Sequence, residues 1–225
     1  MTPWVHLDTA QVPGGGVLKL ARRGAEFSIR LDGAELMNSR LSGSEAALAT
    51  LAFARLGAAA RVLIGGLGMG FTLRAALAVA GADARLEVVE IAPAVIAWAR
   101  GPMAALHGDS LDDPRVTLAQ ADVAATIGAA AGAAAARYDA ILLDVDNGPE
   151  AMSRPANDAL YADDGLRAAR RALRPGGVLA VWSVARDPAF TRRLRRAGFA
   201  VEENTVRAST SGRGARHTIW IAVRT

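Results

Sequence analysis

Apolar and polar residues alternate along Val17-Leu-Lys-Leu-Ala21 and again along Glu26-Phe-Ser-Ile-Arg-Leu31, with Arg22-Arg23-Gly24-Ala25 between them. This period of two predicts strand, turn and strand. Asp32-Gly33 marks a further turn, which leads into a short segment from Glu35 to Arg40. A helix is expected from Glu45 to Arg55, with Ser42 or Ser44 as its cap and Gly57 near its stop. Residues 1–42 are thus expected to form a small β-hairpin appendage, and residues 43–225 the main domain.

In that main domain short apolar runs alternate with helical ones. The predicted strands are Arg61 to Gly65, Leu86 to Ile91, Val116 to Ala119, Tyr138 to Asp144 and Val178 to Ser183. Helices are expected over Phe71 to Ala80, from Pro93 onward, over Asp122 to Ala136, Gly165 to Leu173 and Pro188 to Ala197. Phe199 to Asn204 and His217 to Val223 read as a closing pair of strands. Alternating β and α elements predict a Rossmann-like, doubly wound, mostly parallel α/β sheet covered on both faces. The closing pair adds an antiparallel edge strand.

Composition narrows the class. The chain has 225 residues, 52% hydrophobic and 21% charged, and no cysteine, so disulfides and thiolate metal sites are excluded. No apolar run approaches the roughly 20 residues of a membrane span. Met1 to Ala10 lacks the pattern of a secretory signal, and the expected location is cytoplasmic. The formal charge is +4, and Lys19 is the only lysine. Because the arginines are scattered, the basic balance argues against a nucleic-acid partner. His6, His107 and His217 are dispersed and form no metal-ligand pattern, so no metal is expected. Trp98 and Trp182 read as core residues. Exposed hairpin edges invite pairing, and a homodimer is the expected assembly.

The chemistry gathers at the predicted strand ends. Gly66-Leu67-Gly68-Met69-Gly70 follows a strand and opens a helix, the context that gives such a run meaning as a nucleotide turn. A tight turn without ligand is the bland alternative. Glu90 ends the next strand, where an acid binds ribose hydroxyls in folds of this kind. Asp122 follows the third strand, as an adenine contact, a helix N-cap, or both. Asp144 ends the fourth, and Ser183, at the end of the fifth, is a candidate to line the same pocket. Between Asp144 and Asp164 stand six carboxylates and one arginine, Arg154, a reversal of charge in a basic chain. It suits either a solvated loop or a pocket for a cationic amine, in which a carboxylate acts as anchor and base.

These residues resemble the spermidine synthase (polyamine aminopropyltransferase) family of the class I adenosylmethionine-dependent transferase fold. The resemblance runs from Leu31-Asp32-Gly33 through the turn at 65–70, Thr72-Leu73-Arg74, Val88-Val89-Glu90-Ile91 and Tyr138 to Asp144. It continues through Leu160-Tyr161 to Ala172-Leu-Arg-Pro-Gly-Gly-Val-Leu179. It implies adenosylmethionine or its decarboxylated form as cofactor and a small amine or other nucleophile as substrate. Gly66, Gly68, Gly70, Glu90, Ile91, Asp122 and Val123 would bind the cofactor, Glu45, Asp146 and Tyr161 the substrate. Asp144 would be the catalytic carboxylate.

Three positions depart from the family. Met69 stands where the glycine run carries an aspartate for the cofactor's amino group. The Tyr-His/Gln-Glu signature reads Gly43-Ser44-Glu45, and the Asp-x-x-Asp at the fourth strand reads Asp144-Val145-Asp146-Asn147. An adenosylmethionine-dependent small-molecule methyltransferase and a non-catalytic nucleotide-binding module are the alternative readings.

Overall fold

Strands buried on both faces need cover on both, and the chain supplies it in a fixed order. In the computed structural model, which describes residues 2–13, 15–145, 148, 159–209 and 214–225, the first four strands stand apart. They are β1 (Val5–Gln11), β2 (Val17–Arg23), β3 (Glu26–Leu31) and β4 (Ala34–Asn38), paired in that order as one antiparallel sheet. The chain then runs α1 (Gly43–Phe53), β5 (Arg61–Gly65), α2 (Phe71–Val79), β6 (Arg85–Glu90), α3 (Pro93–Arg100) and α4 (Ala104–His107). Next come β7 (Val116–Gln120), α5 (Val123–Ala131), β8 (Tyr138–Leu143), α6 (Asp163–Ala172) and β9 (Leu173–Ser183). α7 (Pro188–Arg196), β10 (Phe199–Arg207) and β11 (Arg216–Arg224) complete it.

The second sheet has seven strands in the order β10-β11-β9-β8-β5-β6-β7. The strands from β9 to β7 are parallel to their neighbours. β11 enters antiparallel to β9, and β10 pairs antiparallel with it as the outer edge. One face buries Val62, Ile64, Leu86 and Val88 under α1, α2 and α3. The other buries Leu63, Val89, Ile141 and Leu143 under α5, α6 and α7. This is the doubly wound architecture that the alternating pattern predicts. Among the described residues no helix is long and apolar enough to cross a membrane.

The appendage is larger than the expected hairpin. β1 joins β2 at one side and β4 joins β3 at the other, with a bulge between His6 and Asp8. Leu18, Leu20, Phe27 and Ile29 turn inward and share one core with Leu48, Ile64 and Trp98. The Trp98 indole N–H donates to Asp8 Oδ2 at 2.7 Å, fastening β1 to α3. The alanine-rich helix is shorter than expected. It ends at Ala131 with Gly132 as its C-cap, and glycine costs helix about 1 kcal/mol against alanine.

Candidate active site

The carboxyl ends of β5, β6 and β8 are knitted together by backbone. Gly66 N–H donates to the Val89 carbonyl at 2.9 Å, and Asp144 N–H to the Gly65 carbonyl at 3.0 Å. Gly66, Gly68 and Gly70 all take the left-handed conformation, with φ of 90°, 49° and 77°. At Gly66 the need is also steric, since a Cβ there would stand 2.3 Å from the Asp144 carbonyl oxygen. The turn therefore lies flush against the β8 end, and α2 starts directly from Gly70.

Glu90 braces this turn. Its Oε2 accepts from Leu67 N–H at 3.0 Å and its Oε1 from Ala92 N–H at 2.8 Å. Burial raises the Glu90 carboxyl, and the backbone donors work against that rise. Asp122 caps α5 by accepting from Ala124 N–H at 2.7 Å through Oδ1, and it also lines the crevice. One side chain thus both caps the helix and lines the crevice.

The crevice holds Gly66, Gly68, Glu90, Ile91, Asp122, Val123 and Asp144 on its sheet side. Its other wall is apolar and comes from the appendage, with Leu18, Ile29, Leu31 and Met37. Nothing in the local sequence singled these residues out, because they face the crevice only once the small sheet folds over the strand ends. Met69 is absent from the lining and lies buried in the core. Gly70 supports the turn from behind. The His107 ring lies where a Gly70 Cβ would be, its Nδ1 at 2.4 Å from that position. Burial, helped by Arg74, holds that imidazole down to about 4 and so neutral at pH 7.

A second group of side chains closes the deep end. Thr72 Oγ1, on α2, donates to Asp144 Oδ2 at 2.5 Å and lies 3.3 Å from the Glu45 carbonyl oxygen. Burial pushes the Asp144 carboxyl up to about 6. Burial and then the charge of Asp144 push Glu45 up to about 7. Ser44, expected as a possible cap, makes no cap bond. Its hydroxyl lies 2.7 Å from Glu45 Oε2 and 2.8 Å from His217 Nδ1. The Trp182 ring meets His217 edge-on at 4.9 Å between centroids. Ser44 and His217 are 173 positions apart, so no spacing in the sequence pointed to their meeting.

The remaining substrate-side expectations fare differently. Tyr161 is buried in the second core, edge-on to Phe190 at 5.7 Å, and does not line the crevice. Asp146 lies outside the described residues. Ser183, at the end of β9, sits beside Gly148, whose Cβ would stand 2.4 Å from its side chain.

A glycine turn after β5, an acid ending β6, a capping acid after β7 and a half-buried acid after β8 line one crevice of a doubly wound α/β protein. No family model matches the chain. Polyamine aminopropyltransferases of Mycobacterium tuberculosis (strain ATCC 25618 / H37Rv) and Mycobacterium bovis (strain ATCC BAA-935 / AF2122/97) are 32% identical to it over 157 residues. The matched stretch is 67% of this chain and 29% of each relative, so the chain spans less than a third of their length. The Thermotoga maritima spermidine synthase structure superposes with a TM-score of 0.75 at 19% identity, over 98% of this chain and 73% of that one. A spermidine synthase in complex with the transition state analogue AdoDATO gives 0.74 at 19% identity, over 98% and 72%. The chain thus shares the fold of these spermidine synthase structures and is similar in sequence to polyamine aminopropyltransferases over part of their length.

Proposed function

We propose that the protein transfers an aminopropyl group from decarboxylated adenosylmethionine to an amine. The observation that carries this reading is the half-buried pair Glu45 and Asp144 at the end of the crevice, with carboxyls pushed up to about 7 and about 6. An alkyl ammonium loses its proton only near pH 10, so the acceptor needs both an anion to hold it and a base to deprotonate it. Two carboxyls that titrate near neutrality supply both roles. Asp144 is the base, Glu45 the anchor, and alignment does the rest because the sulfonium is already a leaving group. Glu90, Asp122 and the apolar wall from the appendage hold the nucleoside part. The likeness to polyamine aminopropyltransferases supports the same chemistry. A cytoplasmic homodimer belongs to this reading, with β1 as one of the two outer strands of its sheet.

The test is mass spectrometry of products from putrescine and a panel of other amines, run with both forms of the donor. An aminopropylated amine that disappears in Asp144→Asn, while calorimetry shows the donor still bound, supports the assignment. Methylated products from ordinary adenosylmethionine would replace it.

A further inference from the structure

Aminopropyl transfer, the reading on which this inference rests, releases one proton per turnover. The acceptor nitrogen bonds to the donor carbon as that carbon's bond to sulfur breaks, and sulfur keeps the electron pair. The acceptor attacks only as the free amine, so its ammonium proton must come off first, in a site closed on one side by the core. Asp144 and Glu45, both half-buried, take it up and must lose it again before the next cycle.

We propose that Ser44 and His217 form the exit path for that proton. The two hydrogen-bond distances at Ser44 Oγ, 2.7 Å to Glu45 and 2.8 Å to His217 Nδ1, fit a relay in either direction. A hydroxyl both donates and accepts, so protonated Glu45 donates to Ser44 Oγ while Ser44 donates to Nδ1. The proton leaves from Nε2 as the ring returns to neutral. Ser44 itself is fully buried, while His217 is only half-buried and reaches water. The path therefore links the crevice carboxyls, through a buried hydroxyl, to a second half-exposed position on β11.

The surroundings favour this direction. Thr72 from α2 holds Asp144, and Asp144 is the charge acting on Glu45. Trp182 from β9 packs on the His217 ring without offering a charge. Arg216 precedes His217 on β11 and so points to the opposite sheet face, opposite Arg207 of β10. Burial lowers the His217 pKa, which makes the ring a carrier that gives its proton up readily. Both Ser44 and His217 are positioning and relay residues rather than groups that touch the reacting atoms.

The experiment has two arms. In the first, kcat and acceptor KM are measured across pH for wild type, Ser44→Ala, His217→Gln and His217→Ala. Loss of the path lowers kcat by roughly tenfold or more and leaves acceptor KM nearly unchanged. Added imidazoles restore His217→Ala, with a rate that follows the pKa of the imidazole used, and they do not restore Ser44→Ala. A packing role for His217 would give rescue indifferent to that pKa. In the second arm, NMR follows the His217 ring in the ligand-free protein. Its titration shifts in Glu45→Gln, and Ser44→Ala abolishes that response. Wild-type pH profiles in the folded variants, or a His217 titration blind to Glu45, would overturn the proposal. If no amine is aminopropylated the functional reading fails, and the NMR arm still decides whether the relay exists.

Discussion

Replacing Glu45 by Gln should flatten the pH dependence of stability, and the expected size follows from its surroundings. Burial and the nearby Asp144 raise the Glu45 carboxyl from 4.5 to about 7. At about 1.4 kcal/mol per unit, that rise corresponds to about 3 kcal/mol. The sign is set by proton count. Between pH 4.5 and about 7 the folded protein holds a proton on Glu45 that the unfolded chain has released. Stability therefore falls as pH rises through that window, and the contribution is gone above about 7. His107, lowered by burial, acts in the opposite sense, but it is common to both proteins. The assay is urea unfolding of ligand-free wild type and Glu45→Gln at a series of pH values from about 4 to about 8. The difference between the two stabilities should move in favour of the variant by about 3 kcal/mol across that series. Parallel curves would refute the reasoning, since they would mean that Glu45 titrates as a solvated carboxylate.

Two further substitutions test the turn and the acid that braces it. Gly66→Ala forces a Cβ to within 2.3 Å of the Asp144 carbonyl oxygen at φ of 90°, so thermal melts should show a loss of about 2–4 kcal/mol. Gly57→Ala, with nothing within 4 Å of its Cβ, is the control and should change stability by less than about 0.5 kcal/mol. Glu90→Gln replaces an acceptor-only carboxylate with a group that must turn an N–H₂ toward Leu67 or Ala92. Calorimetry should show donor affinity weakened by about 1.5–3 kcal/mol, the worth of one charged hydrogen bond. Unchanged affinity would reduce Glu90 to a brace for the turn.

Much of this architecture was legible because it rests on local rules. The apolar runs at 61–65, 86–91, 138–144 and 178–183 are strands because both faces are covered, and two of them carry an acid at their ends, Glu90 and Asp144. β1 was not legible. Nearly every residue from Val5 to Gln11 is exposed or half-exposed, so its strand form comes from pairing with β2 rather than from a pattern of its own. Asp122 was legible in both its roles, as cap and as crevice residue. The apolar crevice wall, the Thr72 bond to Asp144 and the meeting of Ser44 with His217 were not, because each depends on how distant elements pack. Met69 shows the boundary well. Its identity announces that an acid is missing, but only the packing shows that the side chain leaves the crevice for the core.

That departure changes where a cation can be recognised. Glu90 already accepts two backbone N–H groups, and Asp122 spends one oxygen on its helix cap. With no acid on the glycine turn, Glu45 and Asp144 are the described carboxyls at this site left to meet an ammonium group. A cation bound between them would lower both pKa values, because an opposite charge favours the ionised form. Binding would then release protons near neutrality and cancel the very repulsion that destabilises the empty protein there. A cationic acceptor should accordingly stabilise the fold more at pH 7 than at pH 5, beyond what mass action alone provides. The same two residues would thus set the pH dependence of stability, of acceptor binding and of turnover.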